Sequence, residues 1–180
     1  GRPDSHETIN QANYTDTSEQ TGFLVRGYVV PPISGPYRFW MSADDHADLF
    51  LSTNSDPELK QKIAEVVGWT DPGVYDKFQA QRSGTIILQK GKPYYIEILH
   101  KQGVAGAHLS VGWTLPDDRI ERPIPGSFFA PFGSALPTST KLDDLAEASL
   151  ANNQADCSVT VNDDPLKVLV IDHSPRWDSR

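Results

Sequence analysis

Gly35-Pro36-Tyr37-Arg38-Phe39-Trp40-Met41-Ser42-Ala43-Asp44-Asp45-His46-Ala47-Asp48-Leu49-Phe50-Leu51-Ser52 is the stretch whose reading decides how this chain folds. Tyr37, Phe39 and Met41 alternate with Arg38 and Trp40, the period of two that puts one set on a single face of a strand. Gly35-Pro36 is a turn signal in front of it. Asp48-Leu49-Phe50-Leu51-Ser52 reads as a second short strand, closed by Asn54-Ser55-Asp56-Pro57. Between the two strands stand adjacent carboxylates, Asp44 and Asp45. Neighbouring side chains on an extended backbone point apart, so both can face one ligand only where the backbone turns sharply. Two carboxylates held together repel, and a hard cation such as calcium relieves the repulsion. The alternative for such a pair is solvated loop charge.

Outward from this centre the same texture continues. Phe23 to Val30 is rich in β-branched and aromatic residues and stops at Pro31-Pro32, since proline donates no ladder hydrogen bond. Thr85-Ile86-Ile87-Leu88 and Pro93 to His100 read as strands joined in a hairpin through Gln89-Lys90-Gly91-Lys92. In the second of them Tyr94, Ile96 and Ile98 share one face, and Tyr95, Glu97 and Leu99 the other. His108 to Thr114 alternates Leu109, Val111 and Trp113, and Ile124 to Phe129 reads as a closing edge strand. Glu58 to Val66 is expected to form a short helix, with Leu59, Ile63 and Val66 on one stripe. Short strands with turn signals about every ten residues indicate an all-β protein, an antiparallel sandwich or barrel.

The ends differ from this body. Residues 1–21 are polar and read as an N-terminal arm, residues 22–132 as the β domain, and residues 133–165 as a linker with a weak helix at Lys141 to Leu150. Residues 166–180 contain Leu166 to Ile171, nearly all apolar and ending at Asp172. This is expected to be the truncated start of a following α/β domain, or else a strand that adds to the first domain. The chain opens without methionine or signal peptide and is expected to be processed, or cut from a longer polypeptide.

Bulk chemistry narrows the function. Sixteen Lys and Arg against 24 Asp and Glu give a net charge of -8 over 180 residues. That balance disfavours nucleic acid and anionic lipid as partners. Cys157 is the single cysteine, so no disulfide closes within the chain and no cysteine zinc site is supported. No apolar run approaches the length that crosses a bilayer as a helix, so no membrane insertion is expected. His46, His100 and His108 match no zinc spacing, and HExxH, GxSxG, the P-loop and GxGxxG are missing. The chain is therefore not expected to be an enzyme. Trp40, Trp69 and Trp113 are candidates for stacking on sugars, although Trp113, alternating within a strand, is expected in the core.

Taken in order, Gly27 to Pro32, Gly35 to Trp40, Ser42-Ala43-Asp44-Asp45, Leu49 to Ser52, Gly68-Trp69-Thr70, Gln81-Arg82-Ser83, Leu88 to Glu97, His100-Lys101 and Val111-Gly112-Trp113 resemble the PA14 (PA-fourteen) domain family from Gly22 to Phe132. The resemblance implies a β-sandwich or barrel. In sugar-binding members of the family, two aspartates joined by a cis peptide bond hold a calcium ion that sugar hydroxyls chelate, and these map onto Asp44 and Asp45. The implied reading is a calcium-dependent, lectin-like module of a larger exported protein, extracellular, cell-surface or periplasmic, with a glycan or polysaccharide as partner. His46, His100, Lys101 and Gln102 are the expected sugar hydrogen-bonding residues. One departure stands out: Ala107 occupies a place where many relatives carry an oxygen-bearing side chain. Some members bind neither metal nor sugar, so a structural or protein-interaction domain is the alternative. The tail from Val168 to Asp178 is similar to the opening of an amidotransferase-like α/β domain.

Overall fold

A computed structural model describes residues 5–136 and 169–175. The weak helix expected at Lys141 to Leu150, and most of the expected linker, lie outside these residues. The described residues form twelve strands: β1 (Ser5–Ile9), β2 (Asn13–Asp16), β3 (Thr21–Val29), β4 (Gly35–Asp44), β5 (His46–Ser52), β6 (Lys60–Val66), β7 (Ile86–Leu88), β8 (Tyr94–Gln102), β9 (Ala107–Thr114), β10 (Ile120–Glu121), β11 (Phe129–Pro131) and β12 (Leu169–Pro175). The fold is all-β, as the alternation of the sequence requires.

Every pairing is antiparallel. One sheet runs β1-β12-β3-β8-β5-β6, with β11 also on β3, and the other runs β10-β9-β4-β7, with β2 also on β9. The two face each other across one core. Phe23 and Val25 of β3, Leu49 and Leu51 of β5, and Ile96 and Ile98 of β8 meet Tyr37, Phe39 and Met41 of β4 and Leu109, Val111 and Trp113 of β9 there. Trp113 is wholly buried against Tyr37 and Phe39, with its indole N–H donated to Glu121 (2.7 Å).

Three expectations are corrected. Glu58 to Val66 is not a helix: a single 3-10 turn at Pro57–Leu59, capped by Asp56, leads into β6, which pairs with β5 across a bulge. Pairing with a half-buried strand outweighs the weak propensity of a two-turn segment. The turn at Gln89 to Lys92 is real, with Gly91 in the left-handed region, but β7 pairs with β4 and β8 with β3 and β5. The chain therefore changes sheets at this turn and forms no hairpin. Of the expected closing strand, Ile124 to Phe129, only Phe129 is extended, as the first residue of β11 after a 3-10 turn at Gly126–Phe128. Within residues 1–21, β1 pairs with β12 and β2 with β9. β12 lies antiparallel between β1 and β3.

Gly112 marks how tightly the outer face of β9 is covered. A Cβ there would meet the carbonyl oxygen of Glu121 at 2.8 Å and the Arg122 side chain closer still. Gly112→Ala is expected to lower stability by about 1–3 kcal/mol, the usual range for overpacking, read as a shifted urea midpoint with an unchanged slope.

Candidate functional site at the Asp44–Asp45 corner

The site is built where the chain crosses between sheets twice, side by side. β4 belongs to the smaller sheet and β5 to the larger, and only Asp45 separates them. The next crossing is the loop from Gly103 to Gly106, between β8 and β9. β4 pairs with β9 and β5 with β8, so the crossings are in register: Asp44 lies opposite His108, and His46 opposite Lys101. The Asp44–Asp45 peptide bond is cis.

Buried groups hold this corner from below. Gln102 is 1% exposed. Its carbonyl oxygen accepts the Asp45 backbone N–H (3.1 Å), and its amide NH₂ donates to the carbonyls of Val104 (3.0 Å) and Ala105 (3.1 Å). One side chain thus ties the first crossing to the second. The Gly103 N–H donates to Asp45 Oδ2 at 2.7 Å, and a Cβ at Gly103 would sit 2.9 Å from the same oxygen. The close approach therefore needs glycine.

His100, 3% exposed, lies beneath Asp44. Its Nε2 is 2.8 Å from the Asp44 carbonyl, which can only accept, so Nε2 carries the proton. Nδ1 is left to accept the Tyr14 hydroxyl. Burial pushes the imidazole down to about 4, against the opposing effect of the Asp44 carbonyl, and keeps the ring neutral. Burial likewise raises the Tyr14 hydroxyl and keeps it protonated.

Above this support the carboxylates crowd one another. The Asp44 carboxyl is raised first by partial burial, then by the charge of Asp45 and a side-chain hydrogen bond with it, and further by Asp71; Lys77 opposes the shift. Asp71 is held close because Thr70 N–H donates to the Ala43 carbonyl (2.8 Å) and Ser42 Oγ donates to the Asp71 carbonyl (3.1 Å). His108 completes this side, its Nε2 3.2 Å from Ser42 Oγ.

The expected sugar-binding residues separate into two pairs. His100 and Gln102 are buried, with their polar atoms bonded to the aspartate backbone, the Tyr14 hydroxyl and the second loop, so they support the corner from within. The alternation that buries Tyr94, Ile96 and Ile98 continues to these two residues and already contained this outcome. Lys101 is exposed, and His46 is partly exposed on the outer face of the larger sheet, 3.6 Å from Asp48. Asp71 and Lys77 were not singled out as individual site residues. They approach Asp44 through an isolated bridge between Asp44 and Trp69, which has no local signature in sequence.

Among the described residues, no group of three or more His, Cys, Asp or Glu side chains is placed to hold a metal ion. Two crowded carboxylates beside a loop of carbonyls suit a hard cation. Any further ligands would be backbone oxygen, water or hydroxyls of a bound molecule. In this limited sense the donor set fits calcium.

The family model of the PA14 domain matches residues 7–127. Among curated relatives, N-acetyl-beta-glucosaminyl-glycoprotein 4-beta-N-acetylgalactosaminyltransferase 1 of Mus musculus is 31% identical over 116 residues, 62% of this chain and 11% of the transferase. Fibrocystin-L of Mus musculus is 39% identical over 105 residues, 57% of this chain and 2% of that protein. The chain thus spans a small part of the length of these relatives. Among solved structures, the epithelial adhesin 9 A domain from Candida glabrata, in complex with Galb1-4GlcNAc, has a TM-score of 0.45 at 16% identity, with 62% of this chain and 63% of that one covered. The PA14 sugar-binding domain from an RTX adhesin has a TM-score of 0.40 at 17% identity, covering 58% of this chain and 50% of that one.

Two predictions test the support beneath the corner. Gln102→Leu keeps the volume but strands the Asp45 N–H and two carbonyls, and is expected to cost roughly 1–3 kcal/mol of stability in urea unfolding. For His100 the folded value of about 4 lies below the ordinary 6.5, so the unfolded chain takes up the proton first as pH falls. Its contribution is whole above about 6.5 and is lost as pH falls toward 4. Unfolding midpoints measured across that window should fall in the wild type and vary less in His100→Gln.

Proposed function

We propose that this chain, which belongs to the PA14 domain family, is a non-catalytic module that binds glycans through a calcium ion held by the carboxylates of Asp44 and Asp45. The observation that carries the proposal is the corner itself. Two part-exposed carboxylates crowd together on a buried support of neutral groups, with no cationic side chain among the described residues paired to them from beneath. A structure that invests His100, Gln102 and Gly103 in holding two like charges in place is suited to a positive ligand above them. Calcium, when bound, would supply a charge that relieves the crowding and vacant coordination positions that vicinal hydroxyls can fill.

The residues of the chain have distinct parts in this reading. Asp44 and Asp45 hold the ion. Gln102 and Gly103 fix the orientation of Asp45, one through its backbone and the other through its carboxylate. His100 fixes Asp44 without adding charge. Lys101 and His46 stand at the rim, where polar contacts to a ligand remain open to them. With two side-chain carboxylates the affinity for calcium belongs to the weak end of the known range, about 10⁻⁴–10⁻³ M, as in extracellular modules. That range is the one extracellular modules use, and the proposal includes an extracellular or cell-surface location within a larger protein.

A second reading has one observation in its favour. The lack of a third side-chain ligand, with Ala107 at the foot of the second crossing, also fits a structural or protein-interaction domain that binds no metal. Calorimetric titration with calcium separates the two. The expected result is one saturable site, weakened at least about tenfold in Asp44→Asn and in Asp45→Asn, with glycan binding on an array that chelator abolishes. Gly103→Ala should weaken calcium binding as well, by displacing the Asp45 carboxylate, while leaving the unfolding midpoint nearly unchanged. A flat titration up to millimolar calcium would leave the structural reading in place.

A further inference from the structure

Four tryptophans occur in the sequence, and the three whose surroundings are described are treated differently by the fold. Trp113 is core. Trp40 is covered by the guanidinium groups of Arg122 (4.3 Å from the ring centroid) and Arg82 (5.5 Å), and donates its N–H to Thr114 (2.9 Å). Trp69 is 49% exposed, and its indole N–H has no partner among the described residues.

Trp69 is nevertheless firmly placed. Its backbone bridges to that of Asp44, and the next residue donates its N–H to the Ala43 carbonyl. The Lys77 ammonium donates to the Trp69 carbonyl (2.8 Å) and lies 3.5 Å from the centroid of the ring. That cation fixes the ring and covers one of its faces. A ring covered on both faces would not remain half exposed, so the opposite face is open to solvent. An exposed, oriented indole beside a pair of carboxylates is an unusual use of a large apolar side chain. A pyranose supplies the matching chemistry, since its axial C–H groups make one face apolar while its hydroxyls project around the edge.

We propose that Trp69 is the stacking platform and a specificity-determining residue of the site: its open face receives the C–H face of a pyranose whose hydroxyls reach the Asp44–Asp45 corner, and Lys77 holds the ring in that orientation. This rests on the glycan-binding reading above and deepens it. The ligand class is a cyclic sugar with a continuous apolar face. Acyclic polyols, which offer hydroxyls without such a face, are poor ligands. The free indole N–H is placed to donate to a ring or hydroxyl oxygen at the edge of the stack.

The test compares wild type, Trp69→Phe and Trp69→Leu on a glycan array in calcium, with calcium calorimetry and glycan-dependent tryptophan emission measured on each. The expected result has four parts: pyranoside binding by wild type, a loss of about tenfold or more in Trp69→Leu, substantial retention in Trp69→Phe, and equal calcium isotherms in all three. Emission should shift with glycan in wild type and stay still in Trp69→Phe, because Trp40 and Trp113 remain in both. Glycan binding unchanged in Trp69→Leu would overturn the platform while leaving the glycan-binding reading intact. No glycan binding by wild type would overturn both. Trp69→Leu preserves apolar bulk on an exposed loop, and its unchanged calcium isotherm reports that the corner still folds.

Discussion

The corner exists because two strand pairs end in register at the same edge of the sandwich. β4 with β9 and β5 with β8 are each held by ordinary ladder hydrogen bonds. Both strands of the smaller sheet connect directly to their counterparts in the larger one, so the two crossings lie against each other. A slip of one residue in either pair would turn every side chain over. Ala43 and Ala47, now in the core, would exchange faces with Asp44 and His46. The core of Phe39, Met41, Leu49, Ile98, Leu109 and Val111 resists that slip, because it would place apolar groups in water and charges inside. The position of two aspartates is thus set by the packing of residues that never touch them.

The electrostatics of the corner follow from what lies beneath it. His100 occupies the place where a cationic residue could have paired with Asp44. Burial instead keeps it neutral, against the opposing effect of the Asp44 carbonyl to which its Nε2–H donates. Gln102, also neutral, accepts the Asp45 backbone N–H through its side-chain carbonyl. The negative charge of the pair is therefore left for something above the surface. Lys77 approaches from the side and lessens the repulsion at Asp44, but it is committed to Trp69 through the carbonyl and the ring. Charge and apolar surface are thus arranged around one spot by different segments: the end of β4 and the residue that links it to β5 supply the acids, β8 the support, and the segment after β6 the rim.

Where sequence reading went astray, long-range pairing outweighed local pattern. Leu59, Ile63 and Val66 lie on a helical stripe, yet Ala64 and Val66 enter the core from a strand, because β5 offers an edge that a two-turn helix cannot compete with. The turn at Gly91 was legible as a turn, but nothing local says that the chain leaves it in a different sheet. Polar, sparsely apolar residues such as Asn13 to Asp16 gave no strand signal, since β2 is ordered by its partner β9 and by the Tyr14 contact with His100.

The sequence by itself determined the all-β class, the inward faces of β4, β8 and β9, the burial of Trp113, and Asp44–Asp45 as the chemically unusual point. These follow from periodicity and from adjacency of like charges, which are local properties. Only the tertiary structure decided that His100 and Gln102 support the aspartates from within, that Asp71 and Lys77 stand beside Asp44, and that Trp69 bridges to Asp44 while half exposed. These facts depend on which strands cross between sheets at the same edge, on contacts between residues tens of positions apart, and on the burial that results from both.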